Sequence, residues 1–146
     1  MSFWHNKKIL VTGGAGFLGS FVVNKLKEKN INPKDIVVTR SRDTDLRIME
    51  NCLKAVKDID IVLHIAGKGG GIGYNRKHPA TLFYDNIIMN TQLMEAARQQ
   101  GVNKFVGIGT VCSYPKYAPV PFKEETLWDG YPEETNASYG LSKKMM

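Results

Sequence analysis

Cysteine is scarce. Only Cys52 and Cys112 occur among 146 residues, which excludes a disulfide framework or a thiolate metal cluster and fits a reducing compartment. Long apolar runs are missing as well. Nothing approaches the roughly 20 residues of a membrane helix, and the opening MSFWHNKK has no apolar leader core. A cytoplasmic chain with no membrane partner is therefore expected. Internal repeats and low-complexity tracts are absent, which excludes solenoid and fibrous architectures. No basic tract is interleaved with aromatics, so nucleic acid is not an expected partner. Histidine is limited to three residues, and none follows His78. Acidic residues are the minority sign, 14 against 20 Lys and Arg, for a formal charge of +6. That balance suits a solvated surface or the attraction of anionic ligands. The length suits one domain with a real core.

What the chain does have is glycine in a telling place. Ile9-Leu10-Val11 is followed by Thr12-Gly13-Gly14-Ala15-Gly16-Phe17-Leu18-Gly19-Ser20, and then by helical periodicity. Strand, glycine turn and helix in this order cradle a dinucleotide pyrophosphate. Gly13 allows the tight turn, Gly16 lets backbone approach phosphate, and Gly19 lets the helix pack on the strand. The helix N-terminus then faces the phosphates with free N–H groups and a favourable dipole. The spacing is G-x-x-G-x-x-G, one residue wider at its start than the usual fingerprint.

In chain order, strands are expected at Lys8–Thr12, Asp35–Thr39, Asp60–Ile65 and Lys104–Ile108. A first helix is expected over 16–29, with Leu18, Val22 and Leu26 on its buried face and Asn30 as a left-handed stop. A second is expected over 46–56, burying Ile48, Cys52, Leu53 and Val56, with Cys52 a small core residue. Ala66 to Gly73 reads as a loop too glycine-rich for regular structure. A long helix follows from Pro79 to Gln100, with Gly101 as its stop and Leu82, Phe83, Ile87, Leu93, Met94 and Ala97 as its apolar surface. Gly109 to Ala137 is irregular and too long to be an idle connection. A last helix starts near Ser138. Strands alternating with helices give an α/β fold, a Rossmann-type doubly wound parallel sheet. Ligands collect at the carboxyl ends of its strands, where the stretches Gly13–Gly19, Arg40–Arg42, Ala66–Gly73 and Gly109–Ser113 all begin.

Tyr139-Gly140-Leu141-Ser142-Lys143 carries the chemistry. On a helix, residues four apart share a face. A phenol with a pKa of ~10 needs about 4 kcal/mol of local electrostatics to reach neutrality. An adjacent ammonium and a cationic nicotinamide would lower it. At the end of the second strand, Arg40 and Arg42 stand where an acidic residue would select NAD, so a 2′-phosphate and hence NADP is expected, with NAD the alternative. His64 reads as a structural residue at a strand end, and His5 and His78 as surface residues. Lys68 reads equally as a phosphate ligand and as a solvated loop residue. Asn86 is placed near the site, on backbone or water.

Glycine turn, hydroxyl, tyrosine and lysine in this order resemble the extended short-chain dehydrogenase/reductase superfamily, the NAD-dependent epimerases and dehydratases. Within it the chain resembles the GDP-fucose synthase family. The match lies in Ala66-Gly67-Lys68-Gly69-Gly70, in the Pro79, Tyr84 and Asn86 helix, in Gly109-Thr110-Val111-Cys112-Ser113-Tyr114-Pro115, and in Pro121 through Thr135-Asn136 to Tyr139. The resemblance implies Tyr139 as proton donor to the sugar C4 oxygen and Lys143 as the group that holds the nicotinamide ribose and tunes Tyr139. Thr110 stands where the family usually has serine, with Ser113 as a fallback hydroxyl. Cys112 matches the epimerising cysteine, which exchanges protons made acidic by the C4 ketone. Phe17, Leu18, Asp45, Leu46, Ala66, Gly67 and Lys68 would line the cofactor beside the glycines and arginines. No metal is implied.

The implied activity is an NADP-dependent sugar-nucleotide 3,5-epimerase/4-reductase acting on a 4-keto-6-deoxy GDP-sugar. The enzymatic alternative is another nucleotide-sugar epimerase or dehydratase with recycled NAD. An alternative of a different class is a non-catalytic NADP-binding module. The family's second acid/base, a histidine beyond the tyrosine, has no counterpart here. Residues 1–146 are thus expected to be the dinucleotide-binding part of a longer enzyme, inactive alone, without its sugar-nucleotide subdomain and homodimeric when complete.

Overall fold

The computed structural model describes residues 3–146. The elements, in order, are β1 (Ile9–Thr12), α1 (Phe17–Glu28), β2 (Ile36–Thr39), α2 (Met49–Ala55), β3 (Ile61–His64), α3 (Ile72–Lys77), α4 (Pro79–Gln99), β4 (Lys104–Gly107) and α5 (Ala137–Lys144). Short 3₁₀ turns occupy Pro33–Asp35, Val111–Ser113 and Glu124–Trp128. The chain forms two compact units. One comprises the residues up to Gly67 together with Thr91–Ile108; the other comprises Lys68–Asn90 and Gly109–Met146. No helix among the described residues is long and apolar enough to cross a membrane.

The first unit holds the sheet, which is parallel throughout and ordered β2-β1-β3-β4. Thr12 lies beside Thr39 and His64, and His64 beside Gly107, so the four strands end in one row. From β1 the chain moves outward to β2 and then back to β3 on the other side. That reversal marks the crevice where open α/β sheets take ligands. β1 is buried along its whole length, as a central strand covered on both faces must be. Ile9, Val11 and Ile61 point to one face and pack with Leu26, Ile31 and the partly buried Val22 and Val23. Leu10 and Val62 point to the other face and are also fully buried.

Two helix stops occur where expected: Asn30 has φ 58° after α1 and Gly101 has φ 69° after α4. Two helix faces differ from expectation. Leu18 is 49% exposed, and α1 instead turns Gly19 and Leu26 inward. The cause is steric: Gly19 must face the glycine turn, and one residue is a rotation of about 100°, which swings Leu18 outward. The second helix starts at Met49, not Leu46, and Ile48 is an extended N-cap residue exposed to solvent. Here Asp45 accepts a hydrogen bond from the Arg47 backbone N–H, a local turn that competes with the helix. Cys52 and Val56 are fully buried. The Cys52 thiol donates to the Leu46 carbonyl at 3.0 Å, and burial pushes its pKa up to about 11, as suits an unreactive core residue.

In the second unit the glycine-rich segment is not all loop, because α3 begins at Ile72 directly after Gly71. The first half of α4 buries Leu82 with the polar Asp85, Asn86 and Asn90, while Phe83, expected on the apolar surface, is exposed. Residues 114–136 are irregular but well tied. Tyr114 stacks on Phe122 with centroids 4.9 Å apart, Lys116 pairs with Glu134 at 2.8 Å, and the Lys144 ammonium sits 4.5 Å over the Trp128 ring.

Candidate active site

In the first unit, β1 delivers the chain into the turn at its carboxyl end. Gly13 has φ 70°, and a Cβ there would lie 2.8 Å from the Ala66 backbone nitrogen. A Cβ on Gly19 would lie 2.1 Å from the Gly13 carbonyl oxygen. Backbone alone thus fills the space between strand and helix. The α1 N-terminus has no side-chain cap and no acidic residue in its first turn, so its N–H groups suit an anion. These residues fit a dinucleotide pyrophosphate. Phe17 and Leu18 in the first turn are exposed. The Ala66 N–H donates to the Thr12 hydroxyl, which lies 2.7 Å from the fully buried His64 Nδ1. His64 therefore ties strand ends together, the structural role expected of it.

Beyond β2, Arg40 is exposed and Arg42 pairs with Asp43 at 3.2 Å, both in solvent. Asp45 is engaged by Arg47 in a two-point pair, Nε to Oδ1 at 3.0 Å and Nη2 to Oδ2 at 2.8 Å. The Arg47 side chain, helped by its backbone N–H, holds the Asp45 carboxyl down at about 2. Arg47 was not anticipated from the sequence, although the Asp-x-Arg spacing at the start of a helix could have signalled it. Leu46 beside it is buried.

In the second unit, Lys68 is both bound and neutralised. Its ammonium lies 2.5 Å from the buried Asp85 carboxylate. Its backbone N–H donates to Asn86 Oδ1, and Asn86 Nδ2 donates to its carbonyl, both at 2.8 Å. Asn86 therefore bonds backbone, as expected; Asp85 carried no signal that marked it as the partner of Lys68. Thr110 caps the Val111–Ser113 turn, its hydroxyl accepting from the Cys112 N–H at 3.2 Å. Ser113 is buried and donates to the Gly140 carbonyl at 2.9 Å, so its hydroxyl serves the packing of the turn. α5 lies against that turn with no room to spare: a Cβ on Gly140 would come within 2.1 Å of the Cys112 carbonyl oxygen. Asn90 holds the same helix through its Nδ2, which donates to the Ser142 carbonyl at 3.2 Å.

Tyr139 and Lys143 thus sit on a helix fixed against the turn that carries Thr110 and Cys112. Burial pushes the Tyr139 phenol above its ordinary value, and the Cys112 thiol group adds to the shift. Burial pushes Lys143 down. Burial therefore favours the protonated phenol, whereas the lowering expected from the Tyr-x-x-x-Lys spacing includes the charge of a cationic nicotinamide. The profile of the NAD dependent epimerase/dehydratase family matches residues 9–146, which takes in the glycine turn and all four of these residues.

The chain belongs to the NAD-dependent epimerase/dehydratase family. GDP-mannose 3,5-epimerase 1 of Oryza sativa subsp. indica is 31% identical to it over 159 residues, which cover 97% of this chain and 41% of that protein. GDP-L-fucose synthase of Sinorhizobium fredii (strain NBRC 101917 / NGR234) is 34% identical over 139 residues, covering 94% and 43%. The solved GDP-L-fucose synthetase from Naegleria fowleri bound to NADP has a TM-score of 0.83 at 29% identity, covering 96% of this chain and 42% of that one. The chain spans about two-fifths of the length of the curated relatives it matches.

Proposed function

We propose that the protein is an NADP-dependent sugar-nucleotide 3,5-epimerase/4-reductase acting on a 4-keto-6-deoxy GDP-sugar. The observation that carries this reading is the packing of α5 on the Val111–Ser113 turn, which keeps Tyr139 and Cys112 within electrostatic reach of each other. A thiol and a phenol placed together serve two proton transfers on one ketone. Similarity to a GDP-L-fucose synthase supports the substrate class.

When bound, the reduced dinucleotide supplies a hydride. Tyr139, kept protonated by burial, donates its proton to the C4 oxygen. Lys143 on the same helix face stabilises the phenolate left behind. The Thr110 hydroxyl hydrogen-bonds the same oxygen. Cys112 exchanges the C3 and C5 protons, which the neighbouring ketone acidifies. Inversion needs a second acid/base on the opposite face of the sugar. We assign that group, with the sugar-nucleotide subdomain, to the part of the relatives' length that this chain does not match. Gly13, Gly16 and Gly19 would hold the pyrophosphate, and Arg40 and Arg42 the 2′-phosphate that distinguishes NADP.

The rice GDP-mannose 3,5-epimerase, similar over 97% of the chain, favours a second reading, an epimerase that keeps NAD and regenerates it each turnover. One experiment separates the two. The intact gene product is mixed with GDP-4-keto-6-deoxymannose and NADPH in deuterium oxide. Stoichiometric loss of NADPH with deuterium at C3 and C5 is the expected result. Deuterium without NADPH loss supports the second reading, and neither change overturns both.

A further inference from the structure

We infer that Asn75 is a positioning residue that links the glycine-rich loop after β3 to the first turn of α5, and so sets where Tyr139 lies. The inference rests on the reading of Tyr139 as the proton donor. Asn75 belongs to α3, has no part in the proton transfers above, and is 5% exposed. Both ends of its amide are engaged. Oδ1 accepts from the Gly70 N–H at 3.2 Å, and Nδ2 donates to Asn136 Oδ1 at 2.9 Å. Asn136 is the N-cap residue of α5, three residues before Tyr139.

Neither amide can turn over. The Gly70 N–H requires an oxygen from Asn75, which leaves its NH₂ for Asn136. Asn136 directs its own NH₂ at Glu133 Oε2, 3.2 Å away, which leaves its oxygen for Asn75. Asn136 does not use its side chain to cap α5; its carbonyl instead accepts the Gly140 N–H at 2.8 Å. The side chain therefore answers to Asn75 while the backbone holds the helix. Gly140 in turn is wedged against the Cys112 carbonyl. A displacement of the loop at Gly70 passes through two amide hydrogen bonds into the helix that carries the phenol. In a site where about 1 Å of misplacement can cost a hundredfold in rate, such a link acts on turnover more than on affinity.

The decisive variant is Asn75→Asp in the intact gene product. A carboxylate still accepts from Gly70 but sets oxygen against oxygen at Asn136, so only the α5 side of the link breaks. The expected result is a kcat lowered about tenfold or more with the KM for NADPH within about twofold, since the loop side is kept. Exchange of the Gly140 and Leu141 amides, the first that are hydrogen-bonded within α5, should quicken while Gly70 stays protected. Unchanged kcat with unchanged α5 exchange would overturn the inference, as would a change in KM alone. Asn136→Ala supplies the reciprocal test if the aspartate variant does not fold: it should quicken exchange at Gly70, and an unmoved Gly70 would overturn the link. Should the wild-type protein neither bind a dinucleotide nor turn over, the functional reading fails, and the exchange measurements still decide the link.

Discussion

Tyr139 is where burial and chemistry meet. Desolvation raises its pKa first and the Cys112 thiol group second. Replacing the thiol removes only the second cause. Cys112→Ala should therefore move the Tyr139 titration to lower pH, by less than full exposure would, as read from ultraviolet phenolate absorbance. Tyr139→Phe should lower kcat by about 10²- to 10⁴-fold, the usual worth of a general acid, while calorimetry finds dinucleotide affinity within about threefold. In the first unit, Asp45 is held at about 2 by Arg47. A carboxyl depressed in the folded state contributes stability above its ordinary value and loses it as pH falls through the folded one. The Asp45 contribution is thus complete above about pH 4 and fades toward pH 2. It is small, because the pair is partly in solvent. Arg47→Ala should return the Asp45 midpoint in a carboxyl NMR titration toward 3.8; a midpoint that stays near 2 would mean another group holds it.

At the scale of elements, the contact between α5 and the Val111–Ser113 turn depends on one missing methyl. Gly140→Ala places a Cβ against the Cys112 carbonyl and should cost on the order of 1–3 kcal/mol or more. Gly69→Ala, where a Cβ meets nothing within 4 Å, should be close to neutral; thermal melts of the two variants make the comparison. The glycine turn, the left-handed Asn30 and Gly101, and the four strands were legible in the sequence because each follows from local chemistry: β-branched runs, φ above zero, periodicity. The inward face of α1 was not. Periodicity marks a stripe, and only the close approach at Gly19 decides which edge of it turns inward. α3 was hidden by the glycines before it, since the buried amide of Asn75 makes contacts up to 61 positions along the chain. The pairing of Lys68 with Asp85 was unreadable for the same reason. Tyr139 and Cys112 were singled out by resemblance, whereas the burial that acts on the phenol was not readable, because desolvation depends on packing.

The molecule as a whole carries six excess positive charges, and its proposed ligands are anions. Association of NADPH with the intact gene product should therefore slow severalfold between about 0.01 M and 0.15 M salt, as the screening length falls from ~30 Å to ~8 Å. Stopped-flow fluorescence measures this directly, and a rate constant indifferent to salt would leave the charge a matter of solubility alone. α5 rests on the main-chain oxygen of residue 112, an atom every amino acid possesses. This contact therefore makes no demand on what that residue's side chain is. Exchanging the sulfur for another group leaves the seat of α5 on that oxygen in place.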